Sequence, residues 1–150
     1  MIDRLTMIVD ELRALQRRVV NLERIEQVVV SSGTWTPVLA GAVSPGTFTY
    51  TVQIGWWWRY GSVMYLAGQV GWSAIPTAPV GDIRIQNLPS IPYGNQYIVV
   101  TLGYFVGITE TVRAHIFLNP FIYFYRGSTT IQPSDLASSG DIIFSATWIA

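Results

Sequence analysis

His115 is the chain's single histidine, cysteine is absent, and Asp82, Glu110, Asp135 and Asp141 are the only acidic side chains beyond residue 30. A serine or cysteine triad needs an imidazole steered by an acid, and a closed zinc site needs several His or Cys ligands; one histidine builds neither. Glycoside hydrolysis asks only for two carboxylates facing across the scissile bond, but the four acids fall in four separate segments, each in a turn or flanking a strand. His115, inside Ala114-His-Ile-Phe117, reads as a hydrogen-bonded structural imidazole rather than a base. No catalytic, cofactor-binding or metal-binding residue is therefore assigned, and the expectation is a protein without enzymatic activity.

What the chain has instead is aromatic surface. Gly55-Trp-Trp-Trp-Arg-Tyr-Gly61 places three of the six tryptophans side by side. Neighbouring strand residues point to opposite faces, so this run needs two apolar environments. Trp56, Trp57, Trp58, Arg59 and Tyr60 are the candidate residues of a subunit interface or of a glycan platform, where ring faces pack on sugar C–H groups. If the phase of Phe48 to Ile54 continues, Trp56, Trp58 and Tyr60 face inward, while Trp57 and Arg59 face a neighbouring protomer, Arg59 stacked on an aromatic or paired with an acid. A bulge at Gly55 would reverse that phase.

The elements that must carry these residues are strands. Thr47-Phe-Thr-Tyr-Thr-Val-Gln-Ile54 alternates β-branched or polar residues with apolar ones, a period of two. Further strands are predicted over 62–70, 82–87, 97–108, 115–118, 122–126 and 142–148, separated by Gly, Pro, Asn and Ser, which suits a jelly-roll-like antiparallel β-sandwich over residues 31–150. Residues 1–30 have a different period. Leu5, Ile8, Leu12, Leu15, Val19 and Leu22 recur at alternating steps of three and four, a narrow heptad seam that favours self-association into a parallel coiled coil. Arg18 at g and Glu23 at the following e are placed to pair between chains, within a pattern similar to short trimerisation motifs. The expected stalk is thus a parallel trimer over residues 1–30, with a turn at Ser31 to Gly33 before the β body.

Composition narrows the partners. Half of the 150 residues are apolar and only 12% are charged, and the nine basic residues are all arginine, balanced by nine acids. No basic face is available for phosphate backbones or anionic lipid, so nucleic acid is not expected. No signal peptide and no apolar run long enough to span a membrane occurs. Most charges lie in the first 30 residues, which leaves a charge-poor β body expected to hide surface in an oligomer.

Gly33-Thr-Trp-Thr-Pro-Val-Leu39, the threonine-aromatic strand, Gln53-Ile-Gly-Trp-Trp-Trp-Arg-Tyr-Gly61 and Gly81-Asp-Ile-Arg-Ile-Gln-Asn-Leu-Pro89 follow one another in the order seen in the C-terminal knobs of bacteriophage fibre proteins, which this chain resembles. The likeness covers residues 33–90, and Gly140 to Ile149 resembles the family's last strand. Trp57 stands where the family usually has Tyr, Tyr60 where it has Ile or Val, and Asn87 where it has Gly. The resemblance implies a homotrimeric knob on the virion surface, made in the host cytoplasm. Its partners would be itself, another virion protein that receives the stalk around Ile2, Met7 and Val9, and a host surface glycan. The alternative is a head fibre or decoration protein seated on the capsid.

Overall fold

The computed structural model describes residues 2–26, 30–90, 92, 94, 97–108, 112–117 and 119–150, with the helix side chains given from 7 to 19. In chain order the elements are α1 (Ile2–Glu26), β1 (Val30–Trp35), β2 (Val38–Gly41), β3 (Thr47–Tyr60), β4 (Val63–Thr77), β5 (Ile83–Gln86), β6 (Tyr97–Ile108), β7 (Arg113–Phe117), β8 (Ile122–Arg126), β9 (Thr129–Thr130), a short 3-10 turn (Pro133–Asp135) and β10 (Leu136–Ile149). The described residues are mainly β, with one α-helix. Segment 31–33, expected as a turn, is part of edge strand β1: Gly33 pairs with Trp57 and leaves room for its ring. The strands over 97–108 and 122–126 fall where the sequence places them.

The strands form one antiparallel sheet in the order β1-β3-β4-β10-β6-β7-β8-β5-β2, with β9 beside β8. The sheet curls at β6, whose first residues, Tyr97 to Val100, pair with β7 and whose later ones, from Thr101, pair with β10. Side chains draw the far end of the sheet back to its beginning. The Tyr50 hydroxyl on β3 accepts from the Leu39 N–H at 3.1 Å and donates to the Leu39 carbonyl at 3.0 Å, and Gln53 Nε2 donates to the Pro37 carbonyl at 3.0 Å. Between the curled layers lie Met64, Leu66, Val70 and Trp72 of β4, Ile142, Phe144 and Trp148 of β10, and Ile116, Ile122 and Phe124 of β7 and β8. Burying side chains of this kind contributes about 1.5 to 3 kcal/mol each.

The phase of β3 is set by a bulge. Tyr50 is opposite Trp72 and Val52 is opposite Gly71, so Thr51 is an extra residue on β3. Before it Phe48 and Tyr50 pack against the core; after it the inward positions are Gly55 and Trp57, and Ile54, Trp56, Trp58 and Tyr60 turn outward. This overturns the expected phase for all three tryptophans and for Ile54. The reversal occurs at Thr51, not at Gly55, and period-2 alternation alone carries no mark of it.

Large rings reach the interior by lying over glycines. Trp35 faces Gly55, Gly55 faces Gly68, and Gly68 faces Phe144 across four adjacent strands. A Cβ on Gly55 would run into the Trp35 indole, and one on Gly68 would come within 2.6 Å of Phe144. The two rings meet edge to face, centroids 6.1 Å apart, above this glycine floor. Trp72 lies likewise over Gly140 and Gly107, its Nε1 donating to the Ala137 carbonyl at 3.1 Å. The indole N–H groups of Trp35 and Trp148 have no acceptor among the described residues, so shape rather than hydrogen bonding seats them. Asn87, which stands where fibre knobs usually have Gly, is the one described non-glycine residue with positive φ, 68°. Asn enters that left-handed region more readily than other side chains.

Two measurements check this packing. Gly55→Ala is expected to destabilise by about 1 to 3 kcal/mol through overpacking, and the loss should shrink in a Trp35→Ala background. Strictly additive denaturant-unfolding energies would show that the two residues do not touch. For Tyr50, burial raises the phenol above its usual value, partly offset by its hydrogen bonding to the Leu39 backbone. The folded chain thus keeps a proton that the unfolded chain releases near pH 10, so this stabilisation is full below about pH 10 and is lost as pH climbs through the raised value. Tyr50→Phe should cost about 1 to 3 kcal/mol at neutral pH by stranding the Leu39 groups, and should flatten the alkaline fall in melting temperature.

Candidate functional site

The bulge at Thr51 gives the long-strand layer an outer face built from rings. Ile54, Trp56 and Trp58 of β3 and Val63 and Tyr65 of β4 share it with Ile143 and Ile149 of β10, all about two-fifths to one-half exposed. Trp58 and Tyr65 are register partners, with centroids 5.4 Å apart. The one charge that β4 and β10 place near this face is Asp141, whose two oxygens accept from Gln69 Nε2 at 3.1 and 2.8 Å. A contiguous apolar face of this kind costs free energy in water and suits contact with another protein surface.

The predicted site residues separate into three groups. Trp56, Trp58 and Tyr60 stand on the outer face and remain interface candidates. Trp57 does not: it packs against the core over Gly33, whose added Cβ would lie 2.8 Å from the indole Nε1. Arg59 is exposed and donates from Nε to the Gly61 carbonyl at 2.8 Å, closing the β3–β4 turn within its own chain.

On α1 the seam residues Ile8, Leu12, Leu15 and Val19 are each half exposed, forming one uncovered stripe, and Arg18 is exposed beside them. The side chains of Leu5, Leu22 and Glu23 lie outside the described residues.

The acids take structural partners. Asp82 Oδ1 accepts from Thr130 Oγ1 and Gln132 Nε2, both at 2.8 Å. Asp135 accepts from the Gln132 N–H at 2.8 Å and meets Arg126 at 3.3 Å. Two acids that the sequence separates by half the β body thus converge on Gln132. Glu110 lies outside the described residues. Among the described residues no three His, Asp or Glu side chains converge to hold a metal, and no helix is long and apolar enough to cross a membrane.

A second face escaped the sequence reading. On β8, Ile122 and Phe124 are buried while Tyr123 and Tyr125 point away from the core, a period of two already visible in Phe121-Ile-Tyr-Phe-Tyr125. His115 on β7 is opposite Tyr123, and Tyr123 is opposite Arg84 on β5. The imidazole meets the Tyr125 ring, centroids 5.6 Å apart, and has no hydrogen-bond partner among the described residues, which corrects the expected hydrogen-bonded imidazole. Tyr97 and Phe117 stack in parallel at 3.8 Å, and the Arg84 guanidinium lies 3.8 Å from the Phe121 ring centroid. Burial raises the Tyr125 phenol, and Tyr123, Tyr97 and the Asp82 carboxylate add to the shift.

No protein family and no curated protein matches the chain. Among solved structures it is similar to the crystal structure of the Dettilon tailspike protein, with a TM-score of 0.62 and 20% identity, over 79% of this chain and 23% of that one. The fold is therefore shared with part of a phage tailspike, of whose length this chain spans under a quarter.

The face assignment predicts different behaviour for adjacent tryptophans. Trp57→Ala is expected to cost about 3 to 5 kcal/mol whatever the protein concentration, as loss of a packed ring does. Trp58→Ala should change melting only in so far as copies associate, so its effect should vary with concentration. Thermal melts over a hundredfold dilution series check this; a Trp57→Ala chain that melts like the wild type would reject the inward placement.

Proposed function

We propose that this chain is a non-enzymatic fibre component of a phage virion, a homotrimer joined by a parallel coiled coil through α1, which holds the particle to host surface glycans through its β body. The observation that carries the reading is the pairing of two uncovered apolar surfaces in one charge-poor chain: the α1 seam and the tryptophan face of β3, β4 and β10. A single chain leaves both in water; a parallel association of copies along the helix axis would cover the first, and the second is suited to contact with a neighbour. The engagement of Asp82, Asp135 and Asp141 in local hydrogen bonds supports a binding rather than a hydrolytic role. That the shared fold occurs in a tailspike favours mounting on the tail over capsid decoration.

Sedimentation of the full chain at micromolar concentration is expected to give a trimer. Leu12→Ser with Leu15→Ser removes about 2 kcal/mol of apolar burial per side chain and should shift the protein to monomer. Purified trimer should also compete with intact particles for host cells. A wild-type monomer would falsify the assembly, and undiminished adsorption in excess trimer would remove the attachment role.

A further inference from the structure

The outer face of β5, β7 and β8 differs in chemistry from the tryptophan face. Its rings alternate with groups that donate or accept hydrogen bonds, in a fixed register. His115, Tyr123 and Arg84 stand opposite one another on three neighbouring strands, and Arg113 stands opposite Tyr125 in the next row. At about 4.8 Å between strands and about 6.8 Å between alternate residues, the patch measures roughly 10 by 7 Å, the footprint of one or two sugar rings.

The patch is also pre-arranged. Arg84 is held from two sides, by the Phe121 ring below its guanidinium and by the Gln86 amide, whose oxygen, turned toward it, accepts from Nε and Nη2 at 3.1 Å. The Tyr97 ring, itself exposed, stacks in parallel on Phe117 at one end. Side chains already fixed by their neighbours lose little freedom when a ligand arrives.

Its charge is mainly positive. Arg84 and Arg113 have no carboxylate partner among the described residues, and the one nearby carboxylate, Asp82, is turned to Thr130 and Gln132. An arginine fork meets a carboxylate through two parallel hydrogen bonds, while phenol rings stack on the C–H face of a sugar.

We propose that this face, not the tryptophan face, is the saccharide-binding site, and that its ligand is an anionic saccharide bearing a carboxylate. The inference rests on the attachment reading above and assigns it a place and a charge.

The test uses full-length protein on an array of bacterial surface oligosaccharides that contains uronic-acid and other carboxylate-bearing members, their carboxyl-reduced counterparts and neutral sugars. Wild type is expected to bind carboxylate-bearing members and to bind the reduced forms at least about tenfold more weakly, the loss of one charge-assisted hydrogen bond. Arg84→Gln and Tyr123→Ala should each weaken binding by a similar factor. Arg13→Gln, which removes an equal charge from the helix, should leave binding unchanged. Melting curves accompany every variant; if Tyr123→Ala unfolds, Arg113→Gln with Arg84→Gln replaces it. Glycan binding that survives the double arginine change, or that prefers neutral sugars, overturns this site and leaves attachment standing. Failure of wild type to bind any member removes the attachment reading and this inference together.

Discussion

Trp35, Trp57, Trp72 and Phe144 fill the space between the curled layers by lying across glycines, and the rest of the β body is arranged around that requirement. A ring of indole size needs a partner strand that gives up its own side chain at the point of contact. Gly33, Gly55, Gly68, Gly107 and Gly140 supply those points. Each glycine weakens its strand by roughly 0.5 to 1 kcal/mol through backbone freedom, and the buried ring more than offsets the loss.

The seat of Trp57 over Gly33 decides what its neighbours do. With Trp57 inward, Trp56 and Trp58 must point outward, and the extra residue at Thr51 reconciles this with the inward Phe48 and Tyr50 earlier on the same strand. The exposed aromatic face is thus a consequence of interior packing as much as a surface feature. It has almost no charge to solvate it, whereas the stripe on α1 is flanked by charge but is equally uncovered. In proteins most helical stability comes from packing an apolar face, and the face of the 25-residue α1 is uncovered. The association of copies proposed above would cover both surfaces.

The opposite layer is built by the same rules with another result. There the outward positions of β7, β8 and β5 carry phenol, imidazole and guanidinium groups, packed ring against ring, while Ile116, Ile122 and Phe124 fill the interior. One curled sheet therefore presents an apolar outer face suited to another protein and a mixed aromatic and cationic face suited to a polar ligand.

Much of this was legible in the sequence. The 3-4 spacing of Ile8, Leu12, Leu15 and Val19 identifies a helix with a narrow stripe, and alternation over Thr47 to Ile54, Tyr97 to Ile108 and Ile122 to Arg126 identifies strands, because both signals depend only on backbone geometry. The single histidine and the few acids of the β body likewise restrict the chemistry from composition alone. Which tryptophan faces inward was not legible. A bulge moves every later side chain to the other face, and its position at Thr51 depends on how β3 registers against Trp72 and Gly71 of β4. Nor could the sequence show that Ser31 to Gly33 forms an edge strand, since what makes it one is its pairing with Trp57 to Arg59 and the Trp57 ring above Gly33. The row His115, Tyr123 and Arg84 joins residues from three strands across more than thirty positions of chain, a juxtaposition that strand pairing alone decides.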